Sequence, residues 1–164
     1  MKQPISRLVA GALLAGATLL AQAQLAIEIT GAGAQRLPIA IADFAGERVP
    51  AAALTSVIRA DLERSGRFNL VNAAAPALDE NSPPDFGEWK NRGADALAAG
   101  SLTSLPDGRY ETRFRLYDIQ KQAAIGGLAL AHTSSQIRAT AHRIADAIYE
   151  KLTGERGIFS TRIA

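Results

Sequence analysis

His132 and His142 are the only imidazoles in the chain, and there is no cysteine. The two histidines do not form the i, i+4 pair of a helical metal site, so no metal is expected on them. The missing thiol removes disulfides, thiolate metal sites, cysteine nucleophiles and lipid attachment through cysteine. Asp43, Asp61, Glu63, Asp79, Glu80, Asp85 and Glu88 supply carboxylates, but no spacing selects two of them for acid–base work. Asp43 ends an apolar run, where ligands of open α/β sheets sit; we read it as a turn or cap residue. No G-x-S-x-G elbow occurs. Gly31-Ala32-Gly33-Ala34-Gln35-Arg36 follows a strand pattern as a dinucleotide loop does. Arg36 stands in place of the third glycine, however, and Pro38 follows where a helix should begin. The chain is therefore read as a non-enzyme, with no catalytic residue, no cofactor and no small-molecule substrate.

The elements that carry these residues are legible in part. Pro38 to Phe44 is an apolar run that reads as a buried strand, and Ala45-Gly46-Glu47 turns the chain. Pro50 opens a helix whose Leu54, Val57, Ile58 and Leu62 share a face, with Arg59, Glu63 and Arg64 pointing away; Ser65-Gly66 ends it. Phe68 to Val71 is a short strand, and residues 72–84 form a linker. Phe86 to Arg92 makes a short helix around Trp89, the lone tryptophan, which serves as an interface anchor or a core residue. Ala94 to Leu105 is a strand interrupted by Gly100, and Pro106-Asp107-Gly108 is a hairpin turn. Tyr110, Thr112, Phe114 and Leu116 then alternate with Arg109, Glu111, Arg113 and Arg115, so one face is buried and the basic face is solvated. Ala124 to His132 returns as a strand with a bulge at Gly126-Gly127. Thr133, Ser134 and Ser135 offer caps to a last helix with an Ile137, Ala141, Ile144, Ala145, Ile148, Leu152 stripe, closed by Gly154. His142 falls on its polar side. This order predicts an α/β sandwich, one mixed sheet packed against helices.

The start of the chain addresses compartment. Lys2 and Arg7 precede an uncharged stretch, Leu8 to Leu20, and Ala21-Gln22-Ala23 has the small-x-small form that signal peptidase reads. The stretch is 13 residues long, short of the roughly 20 that span a bilayer. Residues 1–23 are thus read as a signal peptide, cleaved after Ala23 to release the protein into the periplasm. Loss of Lys2 and Arg7 leaves 16 basic against 16 acidic residues. That balance gives no footprint for nucleic acid.

With chemistry set aside, residues 24–36 are the candidate functional segment. Leu25, Ile27 and Ile29 alternate with Ala26, Glu28 and Thr30, a short strand pattern, and Gly31 to Arg36 is small and flexible. An extended segment of this kind adds a strand to a partner's sheet edge, or serves as an edge strand of its own domain.

Several pieces, in order, resemble one family. They are the leader followed at once by Gln24–Thr30, then Leu37-Pro38-Ile39-Ala40-Ile41, then Asp61-Leu62-Glu63-Arg64-Ser65-Gly66-Arg67-Phe68. Trp89 ahead of Gly93-Ala94-Asp95-Ala96 comes next, then Pro106-Asp107-Gly108-Arg109-Tyr110 leading to Leu116-Tyr117-Asp118. Ile148-Tyr149-Glu150-Lys151-Leu152-Thr153-Gly154 finally runs into Gly157-Ile158-Phe159-Ser160-Thr161-Arg162-Ile163-Ala164. The chain resembles the TolB family of the Tol-Pal system over its signal peptide and N-terminal domain. The resemblance implies an α/β N-terminal domain at 37–154. It also implies a mobile segment at 24–36 that binds the C-terminal domain of TolA. By position that role falls on Gln24, Leu25, Ala26, Ile27, Glu28, Ile29, Thr30, Gly31, Ala32, Gly33, Ala34 and Gln35. In the family a six-bladed propeller follows and binds Pal. Here 155–164 resembles only its beginning, so the propeller is not expected and Pal binding is in question. The implied role is a periplasmic adaptor in outer-membrane integrity and cell division, in a system that colicins use for import. The alternative is an envelope factor of another kind, such as a peptidoglycan-synthase activator or a secretion-assembly domain.

Overall fold

A computed structural model describes residues 36–73 and 76–161. The expected leader and every residue of Gln24–Gln35 lie outside the described residues.

The chain enters through β1 (Leu37–Ile41), makes a two-residue strand β2 (Ala45–Gly46) and turns into α1 (Arg48–Arg64). The helix starts ahead of Pro50, which occupies its first turn, where a missing N–H costs no helical bond. β3 (Phe68–Val71), α2 (Phe86–Asn91), β4 (Ala96–Ser104), β5 (Tyr110–Asp118) and β6 (Ala123–His132) follow. A 3-10 turn, Ser134–Gln136, leads into α3 (Ile137–Thr153). Asp85 caps α2 by accepting the Glu88 N–H at 3.0 Å. Gly154 caps α3 at φ 75°, a left-handed conformation that glycine adopts without steric cost.

The strands form one six-stranded open mixed sheet in the order β3-β1-β4-β5-β6, with β2 pairing further along β4. β1 is parallel to β3 and β4, whereas β4, β5 and β6 are antiparallel neighbours. This is the α/β architecture expected from the sequence, with no propeller blade among the described residues.

Each face of the sheet has its own core. Ile39, Ile41, Ala98, Phe114 and Leu116 meet Leu54, Ile58 and Leu62 of α1 and Ile144 and Ile148 of α3. On the reverse face Ala40, Ala42, Leu97, Ala99 and Tyr117 pack beneath Trp89 of α2. β1 and β4 are thus buried on both sides, which explains their nearly unbroken apolar sequence. β5 is covered on one side and alternates. Trp89 is 2% exposed and belongs to the core. Gly100 lets β4 pass under the Phe44 ring: a Cβ there would collide with that ring and with the Arg113 carbonyl.

The β5–β6 register slips between Leu116 and Tyr117, leaving Ile125 as the extra residue beside the glycine pair expected to form the bulge. Residues 155–161, expected to begin a strand, form none among the described residues. They fold against α3, where the Asp146 carboxylate accepts the Phe159 N–H at 2.7 Å and the Ser160 N–H at 3.0 Å. Phe159 meets Tyr149 edge to face.

Candidate functional site

The candidate segment Gln24–Gln35 precedes Arg36, and the domain receives the chain at Leu37, the first residue of an interior strand. Beside Leu37 lies an open groove of about 660 Å3, bounded by Asp95, Asp118, Lys121, Ile125 and Lys151 among others. Four of its polar side chains pair with one another. Gln120 donates to Asp95 at 3.2 Å, and Lys121 pairs with Asp118 at 3.3 Å. The Lys121 N–H also donates to the Asp118 carboxylate, which holds that carboxyl below the usual aspartate range.

At the other end of the parallel strands, Asp43 lies at the mouth of a hollow of about 400 Å3 with Ile41, Arg59 and Leu70. Arg59 does not point away. Its Nε and Nη2 donate to the Ile41 carbonyl at 3.1 and 2.5 Å, and Nη2 meets Asp43 at 3.0 Å. Asp43 therefore neutralises the arginine that caps the end of β1. The position is the one where open α/β sheets bind ligands, but the carboxylate already serves an architectural ion pair.

His132 ends β6, as expected, and only His142 departs from its expected place. His132 is buried: its ring meets the Thr112 hydroxyl at 2.8 Å, its Nδ1 lies 3.0 Å from the Thr133 carbonyl, and it stacks on Tyr110. His142 turns inward from α3 to Asp61 of α1, a carboxylate only 2% exposed that also accepts from Arg64. The sequence carried a signal for this tie. Asp61 falls three residues after Ile58 and seven after Leu54, inside the buried stripe. No group of three His, Cys, Asp or Glu residues suited to a metal ion occurs among the described residues.

The basic face of β5 is solvated; on it Arg113 pairs with Glu111 at 2.9 Å, and just before the strand Arg109 pairs with Asp107 at 2.7 Å. The other perturbed groups serve structure. Asp79 is held low chiefly by the Ser82 N–H in its turn, and Asp107 by Arg109. Burial pushes the Tyr117 hydroxyl up. Among the described helices none is long and apolar enough to cross a membrane.

The sequence profile of the TolB amino-terminal domain family matches residues 25–125. The Tol-Pal system protein TolB of Dechloromonas aromatica is 59% identical over 160 residues, covering 98% of this chain and 38% of that protein. Its counterpart in Aromatoleum aromaticum is 56% identical over 158 residues, covering 96% and 37% respectively. The crystal structure of TolB from Acinetobacter baumannii superposes with a TM-score of 0.66 at 33% identity, over 77% of this chain and 30% of that one. The chain thus spans somewhat over a third of the length of the curated relatives it matches.

Proposed function

The chain belongs to the TolB amino-terminal domain family, and from that premise we propose that it is an exported, non-enzymatic protein-binding adaptor of the Tol-Pal system. Its contact with the C-terminal domain of TolA is made through Gln24–Gln35. The observation that carries this reading is the alternation of Leu25, Ile27 and Ile29 in a segment that the family match includes from its first residue, Leu25. Such a strand pairs with a sheet edge through its backbone, and its alternate side chains fill pockets.

Residues 1–23 are the leader, cleaved after Ala23 to deliver the protein to the periplasm. Residues 37–154 are the domain that presents the segment, and 155–164 lead toward the further domain of longer relatives. The role is in outer-membrane integrity and cell division. Pal is left out of this proposal, because the resemblance assigns Pal binding to the propeller.

The test is calorimetry of the chain beginning at Gln24 against the TolA C-terminal domain, beside a version beginning at Arg36. Binding by the first and not the second supports the reading. Equal binding by both, or none by a folded chain, contradicts it.

A further inference from the structure

Asp107-Gly108 is the one place in the chain where an aspartate or an asparagine is followed by glycine. In such a pair no side chain shields the second backbone nitrogen from the carboxyl carbon of the first residue. The pair lies in the turn between β4 and β5. There the Leu105 N–H donates to the Arg109 carbonyl at 2.7 Å, and the Gly108 N–H donates to the Leu105 carbonyl at 3.0 Å. Gly108 has φ 80°, in the left-handed region that glycine enters freely. A Cβ added at Gly108 would meet nothing within 4 Å, and the Asp107 side chain is 51% exposed, so water reaches the junction.

Arg109 engages the carboxylate of this pair three times. Its N–H donates to Oδ1 of Asp107 at 3.1 Å, its Nε donates to Oδ2 at 2.8 Å, and its Nη2 lies 2.7 Å from Oδ2. The carboxylate is thus drawn past Gly108 to the residue beyond it. The guanidinium bond, with the N–H bond behind it, also holds Asp107 below the usual aspartate range, so the group stays ionised. An ionised carboxylate is a poor electrophile, and the Gly108 nitrogen is committed to the Leu105 carbonyl. Both groups that would close a ring between Asp107 and Gly108 are therefore held apart from that reaction.

We propose that Asp107-Gly108 is a latent isomerisation site, which the fold keeps closed through Arg109. Once that hold is lost and the carboxyl takes up a proton, the Gly108 nitrogen attacks Cγ of Asp107. The new C–N bond forms, the nitrogen gives its proton to solvent, and the carboxyl hydroxyl leaves as water. The product is a cyclic imide. Water then opens it at either carbonyl. Opening at the side-chain carbonyl restores aspartate, and opening at the main-chain carbonyl leaves isoaspartate. The reaction is a rearrangement that consumes no oxidant or cofactor. In isoaspartate the backbone runs through the former side chain and is one carbon longer. That carbon falls between Leu105 and Arg109, next to the Ser104–Tyr110 pair at which the β4–β5 register begins. Register in a hairpin is fixed by its turn, so the modified turn no longer specifies it.

The test is to age the full chain in mildly acidic buffer, folded and in urea. Isoaspartate is counted by methyl transfer from an isoaspartyl methyltransferase after digestion and placed by tandem mass spectrometry. The unfolded chain should accumulate it at position 107 much faster than the folded chain. In the folded protein Arg109→Ala should accelerate it severalfold, although the backbone N–H remains. Arg109→Lys, which keeps the charge but not the planar fork, should fall between. Asp107→Glu should abolish the product, because its ring closes one carbon larger and slowly. Arg109 is exposed, so far-ultraviolet dichroism should report intact folds for its variants. Isoaspartate that rises as fast in the folded wild type as in urea overturns the proposal. So does a folded Arg109→Ala that ages at the wild-type rate, or product that lies elsewhere in the chain.

Discussion

The carboxylate of Asp61 on α1 lies 2.5 Å from Nδ1 of His142 on α3, across the packing of the two long helices. Arg64 meets the other oxygen of the same carboxylate at 2.5 Å. Asp61 is buried while Arg64 is mostly exposed, so His142 is the partner that ties the second helix to the first. Removing the Asp61 carboxylate leaves the part-buried His142 Nδ1 without its partner, while the exposed Arg64 returns to water. Asp61→Ala should therefore cost about 1–3 kcal/mol. His142→Ala, which leaves Arg64 in place, should cost about 1–3 kcal/mol. Urea denaturation checks both, and changes under about 0.5 kcal/mol would show that the tie is incidental.

Trp89 closes the smaller core, over Ala40, Leu97 and Ala99. Trp89→Ala should cost about 3–5 kcal/mol. Trp89→Phe should cost less and leave binding to TolA unchanged. Because Trp89 is the only tryptophan and is buried, its emission should shift to the red only on unfolding. A red shift in the folded protein on adding TolA would instead place Trp89 near the interface.

Much of this architecture was legible in the chain itself. The alternation of Tyr110, Thr112, Phe114 and Leu116 and the stripe from Ile137 to Leu152 have one cause, burial on a single face, while the stop at Gly154 comes from a left-handed cap that glycine adopts freely, and each reappears in the fold. β2 was not legible because two residues carry no period. Arg59 and His142 were assigned outward because polar side chains normally face water; only tertiary packing supplies the Ile41 carbonyl and the Asp61 carboxylate that draw them in. The bulge fell on Ile125 rather than on the glycines because its position is set by register with β5, which a strand's own sequence does not specify. The candidate segment is legible as an apolar alternation. Its partner is not, since backbone pairing reads no side chain.

Acid should weaken the fold through its turn carboxylates. Asp79, Asp107 and Asp118 are held below their ordinary value by donors in their own turns. A depressed folded pKa contributes stability that is present above the unfolded value, near 4, and is lost as pH falls through the folded value. The urea midpoint should thus decline below about pH 4, and Asp118→Asn should flatten part of that decline. Tyr117 has the opposite sign. Its raised pKa favours the neutral hydroxyl in the fold, so that contribution is lost as pH climbs past about 10. Tyr117→Phe should remove part of the alkaline loss. A midpoint independent of pH in both ranges would contradict these assignments.

Asp146 holds residues 157–161 against α3 through the Phe159 and Ser160 N–H groups. Asp146→Ala should cost about 1–3 kcal/mol, confined to local opening of that stretch. Hydrogen exchange at those two amides should accelerate, while the amides of β4 and β5 keep their protection. Unchanged exchange at Phe159 would show that the stretch is held by the Tyr149 ring alone.

If Leu25, Ile27 and Ile29 anchor the segment in a partner, burying one such side chain is worth about 1.5–3 kcal/mol. Ile27→Asp should weaken binding to the TolA C-terminal domain by about tenfold to a hundredfold, at 1.4 kcal/mol per tenfold. Glu28→Gln, on the alternate face, should change it much less. Equal losses for both would contradict strand-like presentation.

The most direct measurement remains the calorimetric titration of the TolA C-terminal domain with the chain beginning at Gln24 and with the chain beginning at Arg36. The account predicts a saturable heat from the first and none from the second, with both domains unfolding at the same urea concentration. Saturable heat of the same size from the shorter chain would move the contact onto the α/β domain and contradict the assignment of Gln24–Gln35.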